Sequence, residues 1–518
     1  MAYVIDQNGR VAIVPNYSPV NFINPNFVRN HHPQQLYPLQ FALHPAVIAQ
    51  IGLDRSISLK ELIKDEGLVP SQEEEQRRNN VIRKLRETVT TWIKKVARLH
   101  GLPPNHIRAA SATILTYGSC GLGVSFFFFF FFFFFFFFFF FQFIKILLCP
   151  NLFPDRVQVY NAESDIDALC VGPWFASLTE DFFVILHDML AKRVEVSDIH
   201  CIKDAKVPLM RFKFEGIAVD LPYAQLQVTT VPENVDTLNF LYLNGRIDET
   251  SWKSLSGVRA NNSILQLVPN VEIFQELLRC VKLWAKRRGV YGNLFGFFGG
   301  VHLAVLSALI CQRNPNANLA GLLSSFFKTF FFWPWPTPVI LHGIPMPRHH
   351  PETRSLMPIH LPSSPHEYCH SNVTRSTLLN IRNEFRRGFC LIQDLYKPQF
   401  DWRNLFEPYP YSKIYQQFLK ITLSSCKKEE LGDWVGWVKS RFRCLLLKLE
   451  EMGVLCDPNP SEHSDTSIED PNIVYYWGLD VSRISSDDVD IELLEKEFKN
   501  NLGGSGFKGV RGKMTLSV

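Results

Sequence analysis

The clearest hydrophobic pattern in the chain is a helical repeat over residues 71–100. Ser71 followed by Glu74 forms a capping-box pattern, which marks the start of a helix. Apolar side chains then recur every three or four positions, as they do on the buried face of an amphipathic helix: Val81, Leu85, Val89, Trp92, Val96 and Leu99. The arginines and lysines between them are most simply a solvated face, with phosphate contact as the alternative.

Two strand patterns and a helical region follow. "SDIDALCVG" (164–172) predicts a strand, and a helix is expected near 178–192. "VPLMRFKFEGIAVDLPYAQL" (207–226) alternates apolar and polar residues on both sides of Glu215-Gly216, which predicts a β-hairpin. From about 262 to 330 the spacing of apolar residues is helical.

A proline-rich stretch separates this region from the last part of the chain. Residues 334–365 contain nine prolines and are expected to be irregular, so they form a natural seam between domains. Beyond them the pattern predicts strand, helix and strand over 412–425, 427–452 and 472–481, a smaller α+β unit. Residues 1–40, rich in Asn, Pro and Gln, are predicted to form a mobile arm.

Length and composition set broad limits. A chain of 518 residues is long enough for two to four domains. Its net charge of +4 is too small to demonstrate a nucleic-acid partner, although "QRRNNVIRKLRE" and "KLWAKRRG" are locally basic. The 11 cysteines are scattered without a CxxC pair, which argues against a disulfide framework or a common zinc site and favours a reducing compartment. The amino terminus shows no secretory signal pattern.

Candidate chemistry begins with two aspartates in the first strand pattern. Asp165 and Asp167 stand two positions apart, so both side chains project from the same face of a strand. Keeping both ionised requires a cation, and carboxylates suit Mg²⁺ or Mn²⁺. Asp220, which ends "IAVD" in the predicted hairpin, is a third candidate. Three carboxylates around two metal ions suit phosphoryl transfer, but a DxD alone is a weak signal.

A glycine-rich segment upstream strengthens that interpretation. In "YGSCGLG" (117–123) small residues follow a strand-like run, so backbone amides can approach a triphosphate. An ordinary glycine-rich turn is the alternative. The sequence contains no GxxxxGK[ST] motif, which excludes a P-loop NTPase.

These motifs, taken in order, resemble a known family. "TYGSCGLG", "ESDIDALCVGP", "GIAVDLPYAQL" and "CVKLWAKRRGVYGNLFGFFGGVHLAVL" are similar to the eukaryotic poly(A) polymerases of the nucleotidyltransferase superfamily, most closely their plant members. The resemblance continues through "FWPWPTPV", "MPIHLP" and "DWVGWVKSRFRCLLLKLEE". It covers nearly all of residues 40–500 except one insertion.

The resemblance implies an α+β multidomain fold. Its expected parts are a mobile arm (1–40), a nucleotidyltransferase α/β catalytic domain (41–250), a helical central domain (251–365), a C-terminal RRM-like RNA-binding domain (366–500) and a tail (501–518). The implied function is template-independent transfer of AMP from ATP to the 3′-hydroxyl of RNA, with two Mg²⁺ or Mn²⁺ ions and release of pyrophosphate.

The resemblance also implies roles for individual residues. Asp165, Asp167 and Asp220 match the metal-binding catalytic positions. The positions that match the family's nucleotide contacts are Tyr117, Gly118, Ser119, Lys282, Tyr291, Gly300 and Val301. One departure is Ser256, in "SLSG" where many members have Asn, so no ATP contact is assigned to it.

The local pattern around Lys282 agrees in part with that role. Apolar residues at helical spacing form a stripe, and Lys282 lies on its flank: Phe274, Leu277, Leu278, Val281, Trp284 and Ala285. The alternative is that Lys282 is one of three cations on a solvated face, and the functional role rests almost entirely on the resemblance. Gly299 and Gly300 precede an apolar helical run whose first amides are able to face an anion. His302 is expected to be a core histidine.

The insertion contains 16 consecutive phenylalanines, Phe126–Phe141. The insertion lengthens the connection between Ser119 and Asp165 to 46 positions, where the family has a loop of about ten residues. The tract approaches the length needed to span a bilayer, but a spanning helix there would separate the glycine turn from the aspartate strand. Functional low complexity fits poorly because disordered soluble tracts are polar. The hypothesis is that about 125–160 is a translated non-coding stretch, since phenylalanine codons are pyrimidine-rich and a pyrimidine tract precedes a splice acceptor.

Two alternative functions remain open at this point. One is another RNA nucleotidyltransferase, of the uridylyl- or CCA-adding type, and the other is an inactive RNA-binding protein whose active site is broken by the insertion. Expected partners are ATP, the 3′ end of an mRNA precursor and the cleavage and polyadenylation machinery, with no membrane partner and a monomeric chain. The expected location is the nucleus, with the cytoplasm as the alternative.

Overall fold

The structure is a computed structural model. It describes residues 2–5, 11–14, 44–121, 165–203, 205–239, 243, 245–343, 355–363, 368–480, 490–503 and 512–518. The phenylalanine tract, and with it the hypothesis about residues 125–160, lies outside the described residues, as does most of the predicted arm.

The described residues of the first half of the chain contain seven strands. They are β1 Ala2–Ile5, β2 Val11–Val14, β3 Thr113–Tyr117, β4 Ile166–Pro173, β5 Val196–Ile202, β6 Leu209–Phe214 and β7 Ile217–Leu226. β1 and β2 form a separate antiparallel pair. The other five form one sheet in the order β3-β4-β7-β6-β5, in which β4 and β7 are parallel and the remaining pairs antiparallel. This mixed sheet carries Asp167 and Asp220, two of the three candidate aspartates.

The predicted hairpin and its register are confirmed. Glu215 and Gly216 form the two-residue turn between β6 and β7, and both have positive φ, 51° and 78°. That geometry matches the right-handed twist of the flanking strands. The turn therefore sets the pairing of the hairpin, from Phe214 opposite Ile217 to Arg211 opposite Asp220.

The first helix, α1 Pro45–Asp65, packs against the helices of the middle of the chain and not against this sheet. One face of the sheet is covered by α2 Gln72–Leu99 and by a π-helix, Leu178–Leu186, and the other face by the helix Glu249–Leu267. The shorter helices here are α3 Pro104–Ala109, α4 Gly118–Gly121 and α5 His187–Ala191, into which the π-helix runs. In α2 the capping box between Ser71 and Glu74 is formed as predicted. The predicted stripe is fully buried from Val81 to Val96, but Leu99, the last helical residue, is 63% exposed.

The middle of the chain is helical. Its long helices are α6 Glu249–Leu267, α7 Val271–Arg287, α8 Gly300–Arg313, α9 Leu319–Phe331 and α10 Arg375–Ile392. The predicted start near 262 was too late, because α6 begins after the N-cap Asp248. The apolar stripe of α7 is buried as predicted. No helix among the described residues is long and apolar enough to cross a bilayer.

The proline-rich stretch is irregular where it is described. Residues 334–343 and 355–363 contain no helix or strand, and an isolated bridge joins Val339 to Ile359. Apolar packing nevertheless continues across the predicted seam, because Phe295 of the helical region contacts the rings of Phe442 and Tyr475.

The last part of the chain is a second sheet with helices. Its elements are α11 Tyr411–Ile414, β8 Gln417–Ser424, α12 Lys428–Lys439, α13 Phe442–Glu451, β9 Leu455–Asp457, β10 Asn472–Asp480, α14 Ile491–Gly503 and β11 Lys513–Ser517. The antiparallel order is β11-β8-β10-β9. The single helix predicted over 427–452 is two helices, separated at Ser440 and Arg441. Trp434, Val438 and Phe442 are buried, as expected for core residues.

Candidate active site

The three predicted aspartates lie near the amino-terminal ends of two neighbouring inner strands of the five-stranded sheet. Asp165 immediately precedes β4, Asp167 is the second residue of β4, and Asp220 lies in β7. Because β4 and β7 are parallel neighbours and Asp167 is the register partner of Asp220, these two side chains project from the same face. Asp165 shares that face with Asp167, two positions along the strand.

Burial and mutual repulsion destabilise the ionised form of this cluster. The pKa of Asp167 is raised to about 7, first by burial and then by the charges of Asp220 and Asp165. The pKa of Asp165 is also raised, again by burial first and then by Asp220. The site therefore concentrates negative charge that a cation would compensate.

Arg211 supplies part of that compensation. Its Nε donates to Asp220 Oδ1 at 2.6 Å and its Nη2 donates to Asp220 Oδ2 at 2.7 Å, a bidentate pair across β6 and β7. Both oxygens of Asp220 are thus engaged. Among the described residues, no three His, Cys, Asp or Glu side chains form a group that could hold a metal ion as they stand.

The glycine turn lies directly against the carboxylates. Tyr117 ends β3 and is the register partner of Asp167. Gly118 follows with φ +65°, and a Cβ at this position would lie 2.0 Å from Asp167 Oδ2. Only glycine tolerates both that conformation and that approach. Burial, followed by the charges of Asp167 and Asp220, raises the pKa of the Tyr117 phenol.

Lys282 reaches this turn from α7. Its Nζ donates to Ser119 Oγ at 2.5 Å, although the two residues are 163 positions apart. The pKa of Lys282 is lowered to about 8, first by burial and then by the charge of Lys286, while Asp167 opposes the shift. A lysine held between helix and turn in this way can meet a phosphate as a point charge.

Tyr291 and Gly300 complete the side of the site next to Lys282. A methyl group at Gly300 would lie 3.6 Å from Tyr291 Oη and 4.0 Å from Lys282 Cε. Val301 is the next residue of α8 and is partly buried against the core. His302 is buried, as expected: its Nδ1 accepts from the amide of Gly299, and burial lowers its pKa to about 4.

The structure therefore brings together the aspartates, the turn, Lys282, Tyr291 and Gly300. Two residues of the site were not identified from the sequence. Asn261 of α6 donates from Nδ2 to the carbonyl of Gly118 at 2.9 Å and holds the turn in place. No local pattern marks it. Arg211, in contrast, was detectable, because the turn at Glu215-Gly216 puts it opposite Asp220.

Carboxylates on two neighbouring strands, facing a glycine-serine turn at the end of a third strand, define a nucleotidyltransferase. Family models agree with this class along most of the chain. The poly(A) polymerase nucleotidyltransferase domain matches residues 50–127 and 153–268, the poly(A) polymerase central domain matches 273–408, and the poly(A) polymerase predicted RNA binding domain matches 411–465.

Similar curated proteins are poly(A) polymerases. Nuclear poly(A) polymerase 3 of Arabidopsis thaliana is 52% identical over 90% of this chain and 84% of its own length. Nuclear poly(A) polymerase 4 of the same plant is 36% identical over 82% of this chain, which spans 54% of that protein. The poly(A) polymerase of Dictyostelium discoideum is 34% identical over 78% of this chain and 46% of its own length.

Solved structures are more distant. A cytoplasmic RNA terminal U-transferase is 15% identical and covers 69% of this chain and 99% of its own, with a TM-score of 0.41. The chain belongs to the poly(A) polymerase family. It is accordingly a polynucleotide adenylyltransferase of α+β multidomain fold with a C-terminal RNA-binding domain, and its family adds AMP to RNA 3′ ends without a template. Its substrates are RNA and ATP, and the family uses divalent metal.

Proposed function

We propose that adenylation takes place where Asp165, Asp167 and Asp220 face the Gly118 turn. The observation that carries this proposal is the registered pairing of Asp167 with Asp220 on parallel strands, directly against Gly118. Two acidic groups that repel each other beside a phosphate-sized turn are suited to hold cations against a polyphosphate.

The donor set fits divalent ions. Carboxylate oxygens are hard ligands, and Mg²⁺ or Mn²⁺ bound by Asp165, Asp167 and Asp220 would offset the charge that raises the pKa of Asp167. Two such ions would activate the 3′-hydroxyl of the RNA and neutralise the departing pyrophosphate. Asp220 would orient the ion that faces the attacking hydroxyl, because it lies farther from the Gly118 turn than Asp167 does.

The remaining site residues would bind ATP. Gly118 and Ser119 would present backbone and hydroxyl donors to the terminal phosphates, with Tyr117 packed beside them. Lys282 would donate to the same phosphates from the opposite helix, and Tyr291 would do so next to it. Gly300 and Val301, at the start of α8, would let the nucleotide approach the helix N-terminus closely.

Nucleotide selection tests the substrate. Purified protein is incubated with a short RNA and each of the four ribonucleoside triphosphates in turn, with Mg²⁺ or Mn²⁺. Tailing is expected with ATP. The ion that supports the faster tailing identifies the preferred metal. Tailing with UTP in preference to ATP would instead assign the chain to the uridylyl-transferring relatives.

Substitution of the aspartates separates catalysis from binding. Asp165→Ala and Asp167→Ala together are expected to reduce adenylation by at least about a thousandfold, because they remove two of three cation ligands while leaving the strand intact. RNA binding, measured by filter retention, is expected to stay within about twofold. If the wild-type protein binds RNA but adds no nucleotide, it is the inactive binding protein.

We further propose that the catalytic domain spans residues 41–250, the helical central domain 251–365 and the RNA-binding domain 366–500. We also propose that the enzyme is nuclear and monomeric. The names of the Arabidopsis relatives support the nucleus. The RNA precursor and the cleavage and polyadenylation machinery are its proposed partners. Localisation of a tagged full-length chain, and light scattering of the purified protein, test location and oligomeric state.

A further inference from the structure

Four features form a row across the catalytic sheet. In the order of the strands these are the Gly118 turn after β3, Asp167 on β4, Asp220 on β7 and Arg211 on β6. Tyr117, next to Gly118, is paired in register with Asp167, Asp167 with Asp220, and Asp220 with Arg211. Arg211 is therefore the member farthest from the turn that would hold the nucleotide phosphates.

The ion pair between Arg211 and Asp220 competes with cation binding. Both Asp220 oxygens accept from the guanidinium, at 2.6 and 2.7 Å. A divalent ion that needs this carboxylate has to displace at least one of these bonds. Displacement is sterically open, because the Arg211 side chain is 52% exposed and its long stem can rotate away from the strand.

The direction of attack indicates which substrate group would lie next to a displaced Arg211 side chain. In-line displacement at the α-phosphate puts the attacking and leaving oxygens on opposite sides. With the leaving pyrophosphate on the side of the Gly118 turn, the RNA primer has to arrive from the side of β6. There the freed guanidinium is a cation whose planar fork matches a phosphodiester.

We propose that Arg211 has two positions: it pairs with Asp220 in the unloaded enzyme, and it binds a backbone phosphate near the RNA 3′ end once a divalent ion takes Asp220. This assignment rests on the proposed function of the carboxylate site. Arg211 is then a substrate-binding residue. Between reactions, when no divalent ion is bound, it also neutralises the charge of Asp220.

The chain offers a matched control for Arg211. Lys213 lies two residues along β6, on the same face, with a side chain that is also 52% exposed. It is also paired with an aspartate, but the partner is Asp198 of β5, at 2.9 Å, rather than a member of the row. Arg211→Gln and Lys213→Gln therefore remove equal charge from similar surroundings.

The first measurement is Mn²⁺ binding without nucleotide or RNA, followed by the loss of the free-ion paramagnetic resonance signal. The Arg211→Gln variant lacks the competing guanidinium and is expected to bind Mn²⁺ about two- to fivefold more tightly than the wild type, the effect of losing a half-exposed ion pair. Lys213→Gln is expected to match the wild type. Equal or weaker Mn²⁺ binding by Arg211→Gln would overturn the pairing half of the proposal.

The second measurement is primer affinity. For Arg211→Gln the KM for oligo(A) is expected to rise about tenfold, while the KM for ATP stays within about twofold of the wild type. The plot of log binding constant against log salt concentration for RNA is expected to become shallower by about 0.7, which corresponds to the loss of one phosphate contact. Arg211→Lys is expected to recover part of the affinity. An unchanged slope, or the same loss in Lys213→Gln, would overturn the phosphate contact.

These readouts stay informative if adenylation itself is not observed. Mn²⁺ binding and the salt slope do not require turnover, so they report on Arg211 in an enzyme that adds no nucleotide. Failure of the wild-type protein to extend RNA with any triphosphate would refute the proposed function, whereas failure of the two binding measurements would refute the role of Arg211.

Discussion

Gly118 shows how one residue can be required for two independent reasons. Its φ of +65° lies in the left-handed region, and any side chain would collide with Asp167 Oδ2 at 2.0 Å. The carboxylate and the turn are therefore positioned by the same contact. Asn261 secures the turn from the other side by binding the Gly118 carbonyl.

Gly118→Ala is accordingly expected to reduce kcat/KM for ATP by about a hundredfold, since displacement of a reacting group by an ångström has an effect of this size. Steady-state adenylation of a short RNA measures it. Gly67→Ala is the control: Gly67 has the same φ of +65°, but no atom lies within 4 Å of an added Cβ. Equal losses in both variants would show that backbone strain, not the contact with Asp167, causes the defect.

Lys282 predicts a pH dependence of ATP binding. Because its pKa in the free enzyme is lowered to about 8, the ammonium group is lost as the pH rises through 8. Bound phosphates would raise that pKa, so ATP binding takes up a proton and weakens above pH 8, by up to about tenfold per pH unit.

Calorimetry of ATP binding without RNA, at pH 7 to 9.5 in buffers of different ionisation enthalpy, detects both effects. Lys282→Arg is expected to remove the proton uptake, because a guanidinium stays charged over this range. Affinity that stays constant to pH 9.5 in the wild-type protein would contradict the assignment.

At the scale of elements, the local pattern predicts which face of a single element is buried. The capping box of α2 and its buried stripe follow from residues within a few turns of each other. α6 was predicted to start too late because its buried face includes polar residues such as Ser254 and Arg259, which an apolar periodicity does not register. The hairpin was predictable because its two-residue turn sets its register.

The capping box has a measurable contribution. Ser71→Ala removes the acceptor for the amide of Glu74, at 3.2 Å, and is expected to destabilise the first turn of α2 by about 1 kcal/mol. Native-state hydrogen exchange at Glu74 is expected to accelerate about fivefold, which corresponds to that energy. Gln72→Ala, one position into the helix, is the control. Unchanged exchange at Glu74 in Ser71→Ala would mean that the turn is held by other contacts.

At the scale of the whole molecule, most of the phenylalanine tract falls in an internal gap of the nucleotidyltransferase family model. The nucleotidyltransferase model matches up to residue 127 and resumes at 153, so residues 128–152 have no counterpart in it. On either side of the gap, the Gly118 turn and Asp167 are in contact, so the site requires only a short connection between them.

The tract is therefore expected to be missing from the mature transcript. Sequencing cDNA across codons 119–165 tests this, and the expected product joins the glycine turn to the aspartate strand through a loop shorter than the 46 positions present here. Recovery of the phenylalanine codons in most cDNA clones would contradict the hypothesis. The genomic sequence amplified with the same primers is the control for the primers themselves.

The sequence by itself determined the chemical groups and the elements that carry them: the acidic pair on a strand, the glycine turn, the hairpin with its third aspartate, and a helix with a lysine on its flank. These are properties of residues close together in the chain, where strand and helix periods apply. Family wording then identified the reaction class.

Only the tertiary structure decided how those groups meet. The parallel pairing that makes Asp167 the neighbour of Asp220, the contact of Lys282 with Ser119, and the hold of Asn261 on Gly118 join residues 53, 163 and 143 positions apart. Periodicity specifies which face of an element is buried, but not which distant element covers it. Contacts over such separations depend on the packing of the whole core.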